Sequence, residues 1–197
     1  KGFGSHTFRN TSKVKKTDLY DIASITKVAA TTLSLMKLQE EGELSINDKM
    51  VKYLPELTGT NKSHMTIKMV LEHKAGLKSW IPFYKSTITD TFVFDSIYSN
   101  TASDSHTYVG NELYMLTSYK KQIRKEILNS ELGTIGKYKY SDLGMILMKD
   151  LIERITGVAM EYYVDSVFYR PLGIERMTYL PPNKFDKSSV IPTSDRK

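Results

Sequence analysis

The chain contains no cysteine among its 197 residues. Disulfides, thiolate metal sites and a cysteine nucleophile are therefore excluded, although the absence does not fix a compartment. No apolar run approaches the roughly 20 residues that a membrane-spanning helix needs. No initiating Met and no signal peptide are found; the chain opens on Lys1-Gly2-Phe3-Gly4. It is therefore expected to be the interior of something longer, with its targeting information elsewhere. Internal repeats and low-complexity segments are also lacking.

What is present is ordinary for a soluble globular protein: 40% hydrophobic and 25% charged residues, which speaks against disorder. The net charge is +6. A basic balance can serve an anionic partner, but the lysines are spread along the chain, as on a solvated surface. Their densest cluster, Lys13, Lys15 and Lys16, falls in a polar stretch from Asn10 to Asp18 that reads as a loop. No nucleic-acid partner is indicated. His6, His64 and His106 have no paired metal spacing, so neither a metal site nor any other cofactor is implied.

Periodicity predicts a mainly helical centre with strand candidates near the ends. Gly2 to Phe8 alternates weakly enough to be a strand. The clearest helix runs from about Ser24 to Glu41, with Val28, Thr31, Thr32, Leu35 and Leu38 on one face and Gly42 as its stop. Met50 to Leu54 is a short apolar stretch ended by Pro55. Thr66 is placed to cap a helix reaching about Glu72, with Gly76 as a breaker. Trp80 to Asn111 reads mostly as loop. Glu112 to Asn129 reads as a helix carrying Leu113, Leu116, Ile123 and Ile127. Gly133 and Gly136 mark a break. A second strong helix runs from about Asp142 to Thr156, with Leu143, Ile146, Leu147, Leu151, Ile152 and Ile155 on its apolar face, and a shorter one from Met160 to Phe168. Four prolines then make the tail irregular.

A hydroxyl nucleophile needs a base within hydrogen-bond reach. Residues three apart on a helix share a face, so Ser-x-x-Lys is a workable unit. The bare pattern is weak: it occurs as Ser12/Lys15, Ser24/Lys27, Ser34/Lys37, Ser118/Lys121 and Ser194/Lys197. Only Ser24 opens a strong helix, directly after the apolar run Leu19 to Ala23. There its N–H is among the first-turn donors without an intrahelical partner, able with the helix dipole to stabilise an oxyanion. Ser34 is mid-helix, and the remaining pairs lie in polar surroundings. The alternative is an ordinary N-cap serine beside an exposed lysine.

The segment Tyr20-Asp21-Ile22-Ala23-Ser24-Ile25-Thr26-Lys27 resembles the nucleophile segment of class C β-lactamases and related DD-peptidases and esterases, the serine β-lactamase and penicillin-binding-protein family. The resemblance continues in order through Glu41 to Asp48, Val51 to Leu57, and Thr66 to Leu77, whose His73 belongs to a structural block and not to a catalytic triad. It implies that Ser24 is the nucleophile and Lys27 its proton-transfer partner. The family's Tyr-x-Asn motif has two candidates. Tyr98-Ser99-Asn100 fits the letters. Tyr140-Ser141-Asp142 fits the setting, ahead of Leu143-Gly144-Met145 and the helix ending at Gly157, so Tyr140 is chosen. Asp142 then stands where the family has Asn, at a substrate-binding position. An ionised Asp only accepts hydrogen bonds, so β-lactam hydrolysis is put in doubt more than acyl transfer in general.

A Lys-Thr-Gly or His-x-Gly motif is not found after Tyr140. The resemblance therefore implies a partial α+β domain of β-lactamase/transpeptidase-like fold, a helical subdomain packed on an antiparallel sheet lacking its C-terminal strands. Within it, 1–48 would hold a strand region and the nucleophile helix, 49–170 a mainly helical subdomain, and 171–197 an irregular return. The chain also resembles the β-lactamase-like half fused to family 3 glycosidases in Bacteroidetes proteins. The implied function is a serine hydrolase acting through an acyl-enzyme on a D-Ala-type peptide, an ester or a β-lactam, outside the cytoplasm. The alternative is a catalytically impaired binding or regulatory module of the same fold. The implied partners are a small-molecule or peptidoglycan-type substrate, a fused glycosidase domain, and the missing C-terminal part of the domain itself.

Overall fold

The computed structural model describes residues 1–9, 11–89, 92–110 and 112–193. The chain forms two compact units, one made of 35–157 and the other of 1–34 with 158–197.

The unit 35–157 holds all but the first two residues of helix α1 (Leu33–Glu40), together with α2 (Ile67–Leu71), α3 (Tyr119–Asn129) and α4 (Leu143–Thr156). Helix α4 follows its sequence signals closely. Leu143, Leu147 and Leu151 recur every four residues and are buried with Met148 and Ile152, giving the apolar stripe that a core-facing helix needs. Gly157 ends it in the left-handed conformation, φ 69°, which costs glycine nothing. Ile146 and Ile155, expected on the same face, are only half-buried, and Met148 takes the core position. Thr66 caps α2 as expected, its Oγ1 accepting from the Met69 N–H at 3.1 Å. Met50 to Leu57 forms two tight 3₁₀ turns, Met50–Lys52 and Pro55–Leu57, that bury Met50, Leu54 and Leu57.

The strands lie elsewhere than the sequence suggests. Gly2 to Phe8 contributes only an isolated bridge, Ser5 to Lys13. A three-stranded antiparallel sheet is instead inserted in the stretch read as loop and helix: β1 (Tyr98–Ser99), β2 (His106–Gly110) and β3 (Leu113–Leu116), in the order β1-β3-β2. Leu113–Leu116 is thus strand, and the helix begins only at Tyr119. Cross-strand pairing explains the correction. Thr107, Tyr108 and Val109 suit a pleated surface, Tyr108 pairs with Tyr114 with ring centroids 5.4 Å apart, and such pairs override the weak helical spacing of Leu113 and Leu116.

Two packing details hold this unit together. Gly144 lies where α4 crosses α2; a Cβ there would stand 2.4 Å from Val70 Cγ1 and 3.3 Å from Leu77 Cδ1. Lys62 is fully buried, and its Nζ donates to Asn61 Oδ1 at 2.9 Å, the Leu128 carbonyl at 3.1 Å and the Ser130 carbonyl at 2.5 Å. It thereby covers carbonyls at the end of α3 that the helix cannot satisfy itself. Burial, with the charge of Lys78 adding to it, lowers the Lys62 pKa to about 8.

In the other unit, Leu19 pairs in parallel with Val190: the Leu19 N–H donates to Ser189 O at 2.7 Å and the Ile191 N–H to Leu19 O at 2.9 Å. Helix α5 (Met160–Val164) continues into a wide π-type turn, Asp165–Tyr169. The buried Tyr169 hydroxyl donates to the Ala29 carbonyl at 2.9 Å, and Thr31 Oγ1 contacts Met160 Sδ at 3.9 Å. These bonds fasten the C-terminal turns to the segment that follows Ser24.

Two outcomes test this packing. Gly144→Ala should destabilise the protein by about 1–3 kcal/mol in urea unfolding, although alanine favours helix by about 1 kcal/mol. Lys62 should make stability pH-dependent. The unfolded chain keeps its proton up to about 10.5, whereas the folded chain releases it near 8. Its contribution therefore rises between those values and is smallest below about 8. The urea midpoint of the wild type should climb relative to Lys62→Met as the pH is raised from 7 to 10.

Candidate active site

The segment leading to Ser24 is shaped by three local devices. The Asp21 carboxylate accepts the Ala23 N–H at 2.7 Å, an Asx turn. Ile22 sits at φ −88°, ψ 0°, in the sparsely populated bridge region. Ala23 then takes φ 44°, a left-handed conformation that a side-chain-bearing residue rarely adopts. Alanine has the smallest side chain that meets this constraint. The turn closes with Ile25 N–H donating to Ile22 O at 2.9 Å.

The chain enters the expected helix directly, but with non-uniform winding. Ala23–Ile25 is a 3₁₀ turn, Lys27–Thr32 is a π-type stretch, and regular α-helix begins at Leu33. Thr32 Oγ1 donates to the Lys27 carbonyl at 2.8 Å, a bond five residues back that suits the wider winding. Wide turns of this kind recur at functional sites.

Ser24 is exposed and Lys27 half-buried. Lys27 Nζ donates to Ser24 Oγ at 2.9 Å, a separation across which a proton can move. The competing Ser/Lys pairs are spent differently. Ser34 is buried and its hydroxyl donates to the Ala30 carbonyl at 2.9 Å, while Lys37 pairs with Glu40 and Glu41 at 2.9 and 3.4 Å. Ser118 is exposed beside α3 and makes no capping bond. The Ser194/Lys197 pair lies outside the described residues. Before the turn, an apolar cleft of about 320 Å³ is lined by Tyr20, Ile22, Thr26, Tyr169, Tyr179 and Leu180; Ser24 is not part of its wall.

Tyr140 and Asp142 belong to the unit 35–157. Tyr140 is 41% exposed. Its loop is held against 73–79 by a series of backbone bonds: Gly133 N–H to Gly76 O at 2.7 Å, Gly136 to Lys74 at 2.8 Å, Lys139 to His73 at 2.8 Å, and Asp142 to Ser79 at 2.8 Å. Gly76 must be glycine here, since φ is 75° and a Cβ would lie 2.8 Å from the Gly133 carbonyl oxygen. Ser141 is buried, and its hydroxyl donates to Lys78 O at 2.6 Å while accepting the Leu143 N–H at 3.2 Å. Asp142 is exposed at the N-cap of α4 without a capping side-chain bond. Tyr98, the tyrosine of the other Tyr-x-Asn candidate, lies on β1, not in a loop, with its hydroxyl 2.8 Å from Thr87 Oγ1. The structure thus brings Ser24 to Lys27 in one unit and sets Tyr140, Ser141 and Asp142 on one clamped loop in the other.

Sequence reasoning missed the left-handed Ala23 and the clamp around Tyr140. Asp21, two residues ahead of the turn, was a usable signal for the first. Nothing local signals the second, because its partners lie far apart in the chain, from Gly133 with Gly76 to Lys139 with His73.

The beta-lactamase family profile matches residues 1–191. A Bacillus subtilis protein named N-acetylmuramyl-L-alanine amidase is 28% identical over 199 residues, covering 98% of this chain and 40% of its own length. An Escherichia coli K12 protein named putative D-alanyl-D-alanine carboxypeptidase is 28% identical over 198 residues, covering 98% and 41%. The chain therefore spans about two fifths of the length of these curated relatives. Among solved structures, the octameric penicillin-binding protein homologue from Pyrococcus abyssi superposes with a TM-score of 0.68 at 24% identity, covering 97% of this chain and 40% of that one. This likeness establishes a β-lactamase/transpeptidase-like fold.

The strained turn gives a direct test. Ala23→Val should lower stability by about 1–2 kcal/mol, since a branched side chain is disfavoured at positive φ. Ala23→Gly should be tolerated in the same thermal-unfolding measurement.

Proposed function

Because this chain belongs to the beta-lactamase family, we propose that it carries the nucleophile of a serine acyl-transfer hydrolase, with Ser24 forming the acyl-enzyme. The observation that carries the reading is the Lys27 Nζ to Ser24 Oγ hydrogen bond of 2.9 Å on an exposed, strained turn. Ser24 Oγ attacks the substrate carbonyl as its proton passes toward Lys27. The Ser24 N–H, in the first turn of its helix, stabilises the oxyanion. The proton then passes, with Tyr140 sharing the transfer, to the departing group. Water attacks the acyl-enzyme and regenerates Ser24. Asp142 lies at the substrate-binding position.

The names of the relatives, an N-acetylmuramyl-L-alanine amidase and a putative D-alanyl-D-alanine carboxypeptidase, support a peptidoglycan-type substrate such as a D-Ala-type peptide; we extend the proposal to an ester and place the reaction outside the cytoplasm. Asp142 favours acyl transfer from such substrates over β-lactam hydrolysis, since a carboxylate cannot donate to a substrate carbonyl. The same residue is the one observation that favours a second reading, a binding module with impaired chemistry.

Steady-state hydrolysis of a D-Ala-terminated peptide and its ester analogue by the intact protein separates the two. Ser24→Ala should reduce kcat by about 10³-fold or more without a change in thermal stability, because Ser24 is exposed. Tyr140→Phe should reduce kcat substantially and Tyr98→Phe should leave it unchanged. Wild-type turnover in Ser24→Ala would overturn the assignment, and loss in Tyr98→Phe alone would move the second role to Tyr98.

A further inference from the structure

His73 lies just beyond α2, and nothing in the chemistry assigned to Ser24, Lys27 and Tyr140 uses it. Its backbone is left-handed, φ 55°, a strained conformation for a residue with a side chain, which persists where surrounding contacts demand it. Four of its contacts reach one segment, 138–141. The His73 carbonyl accepts the Lys139 N–H at 2.8 Å. Its ring Nδ1 accepts the Ser141 N–H at 3.2 Å. The ring itself lies against Tyr140, centroids 4.6 Å apart at 43°, and meets the edge of Tyr138 at 5.9 Å. One residue therefore holds the N–H groups of the residues before and after Tyr140 and supports its ring. The left-handed backbone lets the carbonyl and the imidazole reach the same segment.

We infer that His73 is a positioning residue that sets the reach of the Tyr140 hydroxyl through paired bonds to Lys139 and Ser141. The inference rests on the proposed role of Tyr140 in proton transfer. It does not place His73 in contact with substrate. The bond from Ser141 requires that Nδ1 carry no proton, so the ring proton sits on Nε2.

Substitutions at this position separate positioning from stability. Gly relieves the backbone strain but removes the ring acceptor. Asn tolerates the left-handed conformation and presents Oδ1 near the place of Nδ1. In the intact protein, His73→Gly should keep its thermal midpoint within a few degrees yet lose kcat by about 10²-fold, the scale of a small misplacement of a reacting group, with KM little changed. His73→Asn should recover most of that loss. On a Tyr140→Phe background, His73→Gly should have almost no further effect. A two-bond ¹H–¹⁵N spectrum of the wild type should show Nδ1 unprotonated.

Wild-type kcat in His73→Gly, while Tyr140→Phe is impaired, would overturn this inference and leave the proposed function standing. The same holds if a folded His73→Asn fails to recover activity, or if Nδ1 carries the proton. Unchanged kcat in Tyr140→Phe itself would remove the role of Tyr140, and this inference with it.

Discussion

A lysine amine 2.9 Å from an exposed serine hydroxyl is the interaction on which the functional account depends. Serine is a weak nucleophile at its ordinary pKa, and a base within hydrogen-bond reach is the minimum that makes it reactive. The local fold is arranged around that pair. Asp21 ties down the N–H of Ala23, Ala23 turns left-handed, and the chain starts its helix with Ser24 facing solvent. The π-type winding from Lys27 to Thr32 then carries Ala30 and Thr31 into the core. The buried hydroxyl of Tyr169 holds the Ala29 carbonyl from the side. Strain at Ala23 is thus offset by packing a turn further along, as is common where a functional group must be exposed.

The clamp on the Tyr140 loop follows similar logic with different means. No regular strand or helix spans 130–142, so its peptide groups need partners elsewhere. Four backbone bonds to the segment 73–79 supply them, and buried Ser141 ties the loop to Lys78 and to the first turn of α4. Gly144 brings α4 close enough to Val70 and Leu77 for this pairing to form. A half-exposed tyrosine is thereby held on a segment whose backbone is well satisfied, which suits a group that must be both accessible and fixed.

Much of this was legible in the sequence where the interactions are local. The N-cap of α2 and the leucine repeat and glycine stop of α4 read correctly because Thr66, Gly157 and the four-residue recurrence of leucines act within one element. The Ser24/Lys27 pair was legible because three-residue spacing on a helix puts both side chains on one face and because Ser24, unlike Ser34, opens its helix. The hairpin of β2 and β3 was not, because strands of four or five residues are decided by cross-strand pairing, here Tyr108 with Tyr114, and Leu113 and Leu116 happen also to fit a helix. The winding after Ser24 was not legible either; turn width depends on the packing of Ala30 and Thr31. The bond from Ser141 to His73 was not legible, because it spans 68 residues and has no sequence signature.

The central claim is that Ser24 is the residue that becomes acylated. Tandem mass spectrometry of the intact protein after exposure to a fluorophosphonate or a labelled penicillin tests it most directly. The account predicts a single covalent adduct on Ser24. An adduct on Ser34, Ser118 or another hydroxyl, with Ser24 unmodified, would contradict it, as would the absence of any adduct under conditions that label a related serine hydrolase.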